Sequence, residues 1–292
     1  MHAHPYFDLL LHDNAELATM LGEPIAARET LHEWPLSCVQ QLTLASGRTL
    51  IYKAQFGPTR EPAFYATARS PLLIQAQTVW RQGEHVCMVM EKAPGQPLHS
   101  GLLTEEQAVA LGQQLIGQIQ KMKGDPPAYM DVSDASQWQN YVQAVARTLR
   151  DLVASARFSQ TPLAAIDHLV QAAQQPAVIE AMRTGVGYVH GDLAAENIIV
   201  HKRADAHPDK RADYYVIDWQ RPLRGPTALD LYRFLTSLGH APHPYCAPGL
   251  RSIDRILHIG WLTECAALWF QAGASGYDNQ IAQLIEELGS RN

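Results

Sequence analysis

At 292 residues, 47% of them hydrophobic, with 19 glycines and 18 prolines, the chain suits one large domain or two modest lobes and excludes a collagen-like repeat or wholesale disorder. With 23 basic against 29 acidic side chains the net charge is −6, so no broad basic surface exists for a nucleic-acid backbone, and no nucleic-acid partner is expected. Cys38, Cys87, Cys246 and Cys265 form no C-x-x-C pair, no apolar run approaches the roughly 20 residues of a membrane span, and no signal-peptide pattern opens the chain; a cytoplasmic protein without a membrane partner is expected.

Met1-His2-Ala3-His4 reads as a flexible terminus. Apolar residues at 7, 10, 11, 17 and 21 have helical spacing, predicting a helix over 7–21. Val39 to Leu44 and Thr49 to Ala54 are strand-like runs joined by Ala45-Ser46-Gly47-Arg48, a predicted hairpin. Gly57 and Pro58 break the chain before a short helix holding Glu61, Phe64 and Tyr65, which Pro71 stops. Strands are predicted at Leu72 to Ala76, Thr78 to Arg81 and Val86 to Met90, with a turn at Gln82-Gly83-Glu84, before Pro94-Gly95-Gln96-Pro97 interrupts the backbone.

Beyond that point the pattern turns helical. Thr104-Glu105-Glu106-Gln107 is a capping-box signature ahead of Ala108, Leu111, Leu115, Ile119 and Met122, and Gly124, Pro126 and Pro127 end the helix. Trp138, Tyr141, Val145, Leu149 and Leu152 mark a second helix. Further helices are predicted from Asp230 onward, around 251–270 and near the C-terminus. The expected fold class is α+β, with an antiparallel sheet before residue 94 and helices after it.

Two segments concentrate the chemistry. In Tyr188 to Val200, apolar runs flank a polar loop that carries His190, Asp192 and Asn197. In Tyr214 to Gln220, an apolar strand delivers Asp218 at its end. Carboxylate and amide oxygens are hard ligands suited to Mg²⁺, and one further carboxylate can receive or orient a hydroxyl proton. Magnesium-assisted phosphoryl transfer needs that set, because its catalysis is mostly positioning and charge neutralisation.

His190-Gly191-Asp192 with Asn197 five residues on, followed by Ile217-Asp218-Trp219, resembles the aminoglycoside phosphotransferase and choline kinase family. Gln220, with Glu61-x-x-Phe64-Tyr65, leans toward the ecdysteroid-kinase-like branch. The resemblance implies a protein-kinase-like two-lobed fold, with a small antiparallel-sheet lobe over 1–93 that binds nucleotide and a larger, mainly helical catalytic and substrate-binding lobe over 94–292. It implies ATP or GTP as donor, Mg²⁺ as cofactor, and a small-molecule hydroxyl (an amino sugar, a choline-like or another metabolic alcohol) as acceptor. Asp192 corresponds to the catalytic base, His190 to a brace of its loop, and Asn197 and Asp218 to the metal ligands. Lys53, in Ile51-Tyr52-Lys53-Ala54, corresponds to the lysine on the α- and β-phosphates, and Glu61 to its ion-pair partner, although the family usually inserts more than eight residues between them. Met90 corresponds to a wall of the adenine pocket, and the Glu91 carbonyl and Ala93 amide to its edge readers. Asp230 matches a family acid and equally reads as a helix-start carboxylate.

One departure stands out. Trp34-Pro35-Leu36-Ser37-Cys38-Val39 occupies the place of the phosphate loop and holds no glycine, which leaves a nucleotide-binding pseudoenzyme as the alternative. A protein kinase is disfavoured, because Asp218 precedes Trp-Gln rather than Phe-Gly and no A-P-E-like segment follows. For the acceptor, Asp131, Asp134, Glu264, Asp278, Trp138, Trp261 and Trp269 are candidate cation- or sugar-binding groups that read individually as surface charge or core. His201 to Arg211 is read as a charged loop.

Overall fold

The computed structural model describes residues 1–155, 157, 163–201, 213–270 and 276–289; most of the 201–211 insertion lies outside them. The elements run β1 (His2–Ala3), β2 (Leu10–Leu11), α1 (Asn14–Leu21), β3 (Ile25–Trp34), β4 (Ser37–Leu44), β5 (Thr49–Phe56), α2 (Glu61–Thr67), β6 (Ala76–Gln82), β7 (His85–Glu91) and β8 (Gln96–Pro97). Then come α3 (Glu105–Gln120), β9 (Met130–Asp131), α4 (Ala135–Ala154), α5 (Leu163–Ala173), α6 (Pro176–Arg183), β10 (Val186–Val189), β11 (Ile198–His201), β12 (Asp213–Val216) and β13 (Leu223–Pro226). The chain closes with α7 (Ala228–Ser237), α8 (Gly249–Leu268) and α9 (Tyr277–Gly289). The α+β class expected from the sequence is the one observed.

The elements group into two compact units, neither a single stretch of chain. One gathers Met1–Leu102, Gly117–Tyr129 and Asp192–Pro222; the other gathers Leu103–Ile116, Met130–Gly191 and Leu223–Asn292. The first holds a five-stranded antiparallel sheet in the order β3-β4-β5-β7-β6. Strand alternation sends Leu50, Tyr52 and Ala54 of β5 into a core with Cys38, Leu42, Leu44, Cys87 and Val89, which Leu9, Leu11 and Leu17 also join. Lys53 and Gln55 therefore fall on the opposite face. A smaller sheet in the same unit orders β12-β11-β8. Gly95 makes the β8–β11 pairing possible: its φ is +113°, and a Cβ there would lie 2.2 Å from the Val200 carbonyl oxygen.

The second unit is mainly helical. The predicted stripe of α4 is its core face, with Trp138, Val145 and Leu149 buried. The predicted capping box of α3 forms, with the Gln107 amide donating to Thr104 Oγ1 and the Thr104 amide to Gln107 Oε1.

The structure corrects two of these expectations and adds a strand for which the sequence offers no reading. The helix over 7–21 begins only at Asn14, because Asp13 caps it by accepting the Glu16 amide, and the preceding leucines pack as extended chain. Strand β3 was not anticipated, since it is a sheet edge and most of its side chains are exposed, without an apolar alternation to read. Leu72 to Ala76 is no strand apart from its last residue: Leu72 is buried, and its carbonyl accepts the Val216 amide outside any ladder.

Candidate functional site

The first unit brings together side chains far apart in sequence. Lys53 sits mid-strand on β5, opposite Val39 and Met88, and its side chain is only 6% exposed. Its Nζ lies 2.5 Å from Asp218 Oδ1 and 2.8 Å from Glu61 Oε2. The short spacing from Lys53 to Glu61 suffices because α2 starts almost at once after the strand, with Glu61 in its first turn and the Glu61 amide donating to Thr59 Oγ1. The Gln55 side-chain amide donates to the same Glu61 oxygen. Burial opposes the charge on Lys53, but Asp218 and then Glu61 outweigh it and hold the ammonium's pKa above its usual range. Burial pushes the Glu61 carboxyl up, against the pull of Lys53.

Asp218 is the one non-glycine residue with positive φ among the described residues, at 67°. Left-handed backbone away from glycine is uncommon, and its persistence requires surrounding structure that fixes it. That structure is visible on both sides. The Ile217 amide donates to the Asn197 carbonyl, and Trp219, fully buried, stacks on Phe64 of α2 at 4.3 Å and donates through Nε1 to the Val216 carbonyl. The Arg60 amide donates to the Gln220 carbonyl. The aromatic after Asp218 thus ties the carboxylate to the helix that carries Glu61.

Asn197, buried at the end of a 3-10 turn over Ala195–Asn197, donates its side-chain amide to the Asp192 carbonyl at 2.9 Å and to Asp192 Oδ2 at 3.4 Å. With Nδ2 so engaged, Oδ1 is the atom left to act as an acceptor or ligand, and it and the Asp218 carboxylate are hard oxygen donors of the kind that could hold Mg²⁺. His190 belongs to the second unit and is buried. There the His190 and Gly191 amides donate to Asp230 Oδ2 and Oδ1 at 2.8 and 3.1 Å, directly before Asp192 in the chain. Asp230 stands in the first turn of α7, fully buried, so its helix-start position and its hold on the loop coincide. Burial pushes its carboxyl up, opposed by His190 and the two amides.

Met90 is buried near the end of β7, opposite Ile51 and Ala76, and Glu91 beyond it is exposed with its amide donated to the Gln75 carbonyl. Ala93 follows the strand in the same unit. The glycine-free turn between β3 and β4 is tight: Ser37 is buried and its Oγ accepts the Trp34 indole N–H at 2.6 Å, while the Phe56 amide donates to the Leu36 carbonyl.

Several acceptor-side candidates hold structural positions. Asp134 caps α4, Trp138 is buried with its Nε1 donating to the Ala173 carbonyl, and Asp278 pairs with Arg157 at 3.2 Å. The amino terminus is also not loose at His4, which is buried. Its Nδ1 accepts the Tyr6 and Phe7 amides, so the ring proton resides on Nε2, 3.1 Å from Glu33 Oε1. In this arrangement His4 and Glu33 form a hydrogen-bonded pair beside Cys38, whose Sγ lies 3.9 Å from Glu33 Oε1.

The phosphotransferase enzyme family pattern matches residues 64–262, more than half of the chain. The chain belongs to that family. Among solved structures, a choline/ethanolamine kinase family protein from Mesorhizobium loti aligns at 14% identity and TM-score 0.57, over 95% of this chain and 94% of the other. The phosphotransferase APH(2")-IIia in complex with GDP and kanamycin aligns at 13% and 0.56, over 94% and 97%. Spectinomycin phosphotransferase APH(9)-Ia, bound to ADP and spectinomycin, aligns at 13% and 0.53, over 96% and 99%. At such identities these likenesses establish the protein-kinase-like fold, an N-terminal antiparallel sheet with a helical C-terminal part. No curated protein matches the chain. No helix among the described residues is long and apolar enough to cross a membrane.

Sequence reasoning missed Gln55 as a partner of Glu61. The available signal was its position two residues after Lys53, which places both on one face of a strand.

Proposed function

We propose that this phosphotransferase moves the γ-phosphoryl group of ATP or GTP to a hydroxyl of a small molecule, such as an amino sugar, a choline-like or another metabolic alcohol. The observation that carries the reading is Lys53 bridging Glu61 and Asp218 in the same compact unit as the hydrogen-bonded Asp192 and Asn197. Residues 1–93 act as the nucleotide lobe and 94–292 as the catalytic and substrate lobe. Lys53 binds the α- and β-phosphates, with Glu61 fixing its direction. Met90 borders the adenine, and the Glu91 carbonyl and Ala93 amide meet its edge. Asn197 and Asp218 would hold Mg²⁺, which would supply neutralisation of the phosphate charge.

Asp192 accepts or orients the acceptor's hydroxyl proton. The acceptor oxygen forms a bond to the γ-phosphorus, the bond from that phosphorus to the bridging oxygen breaks, and the nucleoside diphosphate leaves. His190 and Asp230 brace the loop by their mutual hydrogen bond. Gln220 and Glu61-x-x-Phe64-Tyr65 support a place in the ecdysteroid-kinase-like branch, and four free, buried cysteines fit a reduced cytoplasmic setting.

A second reading, a nucleotide-binding regulator without turnover, is favoured by one observation: the turn after β3 lacks glycine and its Ser37 hydroxyl is buried against Trp34. The deciding experiment follows ATP and GTP consumption against a panel of hydroxylated metabolites. Acceptor-dependent turnover is expected; nucleotide binding without turnover on any acceptor would establish the regulator instead.

A further inference from the structure

Glu61 uses its two oxygens unequally. Lys53 and Gln55 both approach Oε2, while Oε1 is buried with no hydrogen-bond partner among the described residues. Two neighbours share that condition: Gln55 Oε1, whose own amide already bonds Glu61, and Tyr65 Oη, one helical turn beyond Glu61 on the same face of α2. All three residues are buried, with Gln55, Glu61 and Tyr65 exposed by 3%, 0% and 7%. The Tyr65 hydroxyl also feels this neighbourhood, since burial first and then the Glu61 and Asp218 carboxylates push its pKa well up.

A buried polar atom left unpaired is a greater loss than a made hydrogen bond is a gain, and one shared internal partner would satisfy all three. Two of the three are acceptors only, and the phenol can donate. A water molecule gives two hydrogens and accepts one, which matches the set, and buried waters typically make about three hydrogen bonds.

We propose that Gln55 Oε1, Glu61 Oε1 and Tyr65 Oη hold one internal water, and that Gln55 and Tyr65 are thereby positioning residues that aim Glu61 at Lys53. The inference rests on the reading of Lys53 as the phosphate-binding lysine. Through the water, the face of Glu61 away from Lys53 is bolted to β5 and to the body of α2. The carboxylate then keeps one orientation when a nucleotide draws Lys53 toward its phosphates.

The test uses the full chain, Mg²⁺ and a non-hydrolysable ATP analogue, titrated by calorimetry, so that no acceptor is needed. Tyr65→Phe keeps the ring and is expected to weaken binding about three- to tenfold, the scale of one hydrogen bond. In a Gln55→Met background the same change should have little further effect, because both residues act through one water. In a Lys53→Met background it should have none, whereas a merely structural role would persist there. Equal losses in all three backgrounds, or no loss in the first, overturn the proposal. A high-resolution crystal structure of the unsubstituted chain decides the water independently of nucleotide: density within hydrogen-bond distance of all three atoms is expected, and a dry gap or a direct Tyr65–Glu61 bond overturns it. A chain that binds no nucleotide but shows the water sinks the phosphotransfer reading alone.

Discussion

Asp192 and Asp218 differ in what holds them, and that difference sets what their loss should do. Asp218 meets Lys53 at 2.5 Å on a left-handed backbone, whereas Asp192 is tied through its carbonyl and carboxylate to the Asn197 amide. Asp192→Asn keeps the side chain's size and removes the charge that, in the proposed reading, accepts or orients a proton. Single-turnover transfer should fall by about 10²–10⁴-fold, the usual worth of general-base assistance, with Mg-nucleotide affinity nearly unchanged. Full activity in that variant would remove Asp192 from the role of base. Asp230 predicts a pH effect. Its folded pKa is raised, chiefly by burial, so the folded chain binds this proton more tightly than the unfolded chain does. The contribution is complete below the unfolded value, about 4, and is lost as pH rises through the folded value. Wild-type stability should therefore decline across that window relative to Asp230→Asn, as urea midpoints taken at stepped pH would reveal.

At the scale of elements, short pairings matter more than their length suggests. Strand β8 has two residues, yet it joins the segment after β7 to β11, the strand that follows Asn197. Gly95 beside it combines a φ that side chains rarely adopt with a contact a Cβ would violate at 2.2 Å. Gly95→Ala should destabilise the chain by roughly 2–4 kcal/mol, since backbone strain and overpacking act together. A denaturant midpoint within error of wild type would show that the segment can shift at no cost. The Trp219–Phe64 stack is the corresponding link between the segment after β12 and α2, and it explains in packing terms why an aromatic follows the carboxylate.

For the whole molecule, ligand linkage gives the broadest test. A ligand that binds only the folded chain at 100 times its Kd adds about 2.7 kcal/mol of stability. Mg-ATP or Mg-GTP should raise the thermal midpoint above that seen with nucleotide and chelator, and Asp218→Ala should erase the difference. In the proposed reading the carboxylate would offset charge between metal and phosphates in a setting that water replaces poorly. An equal midpoint shift with and without Mg²⁺ in the unsubstituted chain would argue against a metal held by Asn197 and Asp218.

The sequence by itself determined the α+β class, the capping box of α3, the core stripe of α4 and the two segments that carry Asp192, Asn197 and Asp218. Each is a local matter of hydrophobic period, turn chemistry or motif spacing, which survives without knowledge of partners. The tertiary structure alone decided the rest. Strand β3 is an exposed edge with no period to read, and the helix predicted over 7–21 shortens because its leucines find the sheet's core first. Lys53 and Asp218 are 165 residues apart, and only strand pairing and the aromatic stack bring them to 2.5 Å. Gln55 and Tyr65 look like ordinary strand and helix residues in sequence. Their bearing on Glu61 comes from burial, which turns an unpaired oxygen from a hydrated group into a constraint on its neighbours.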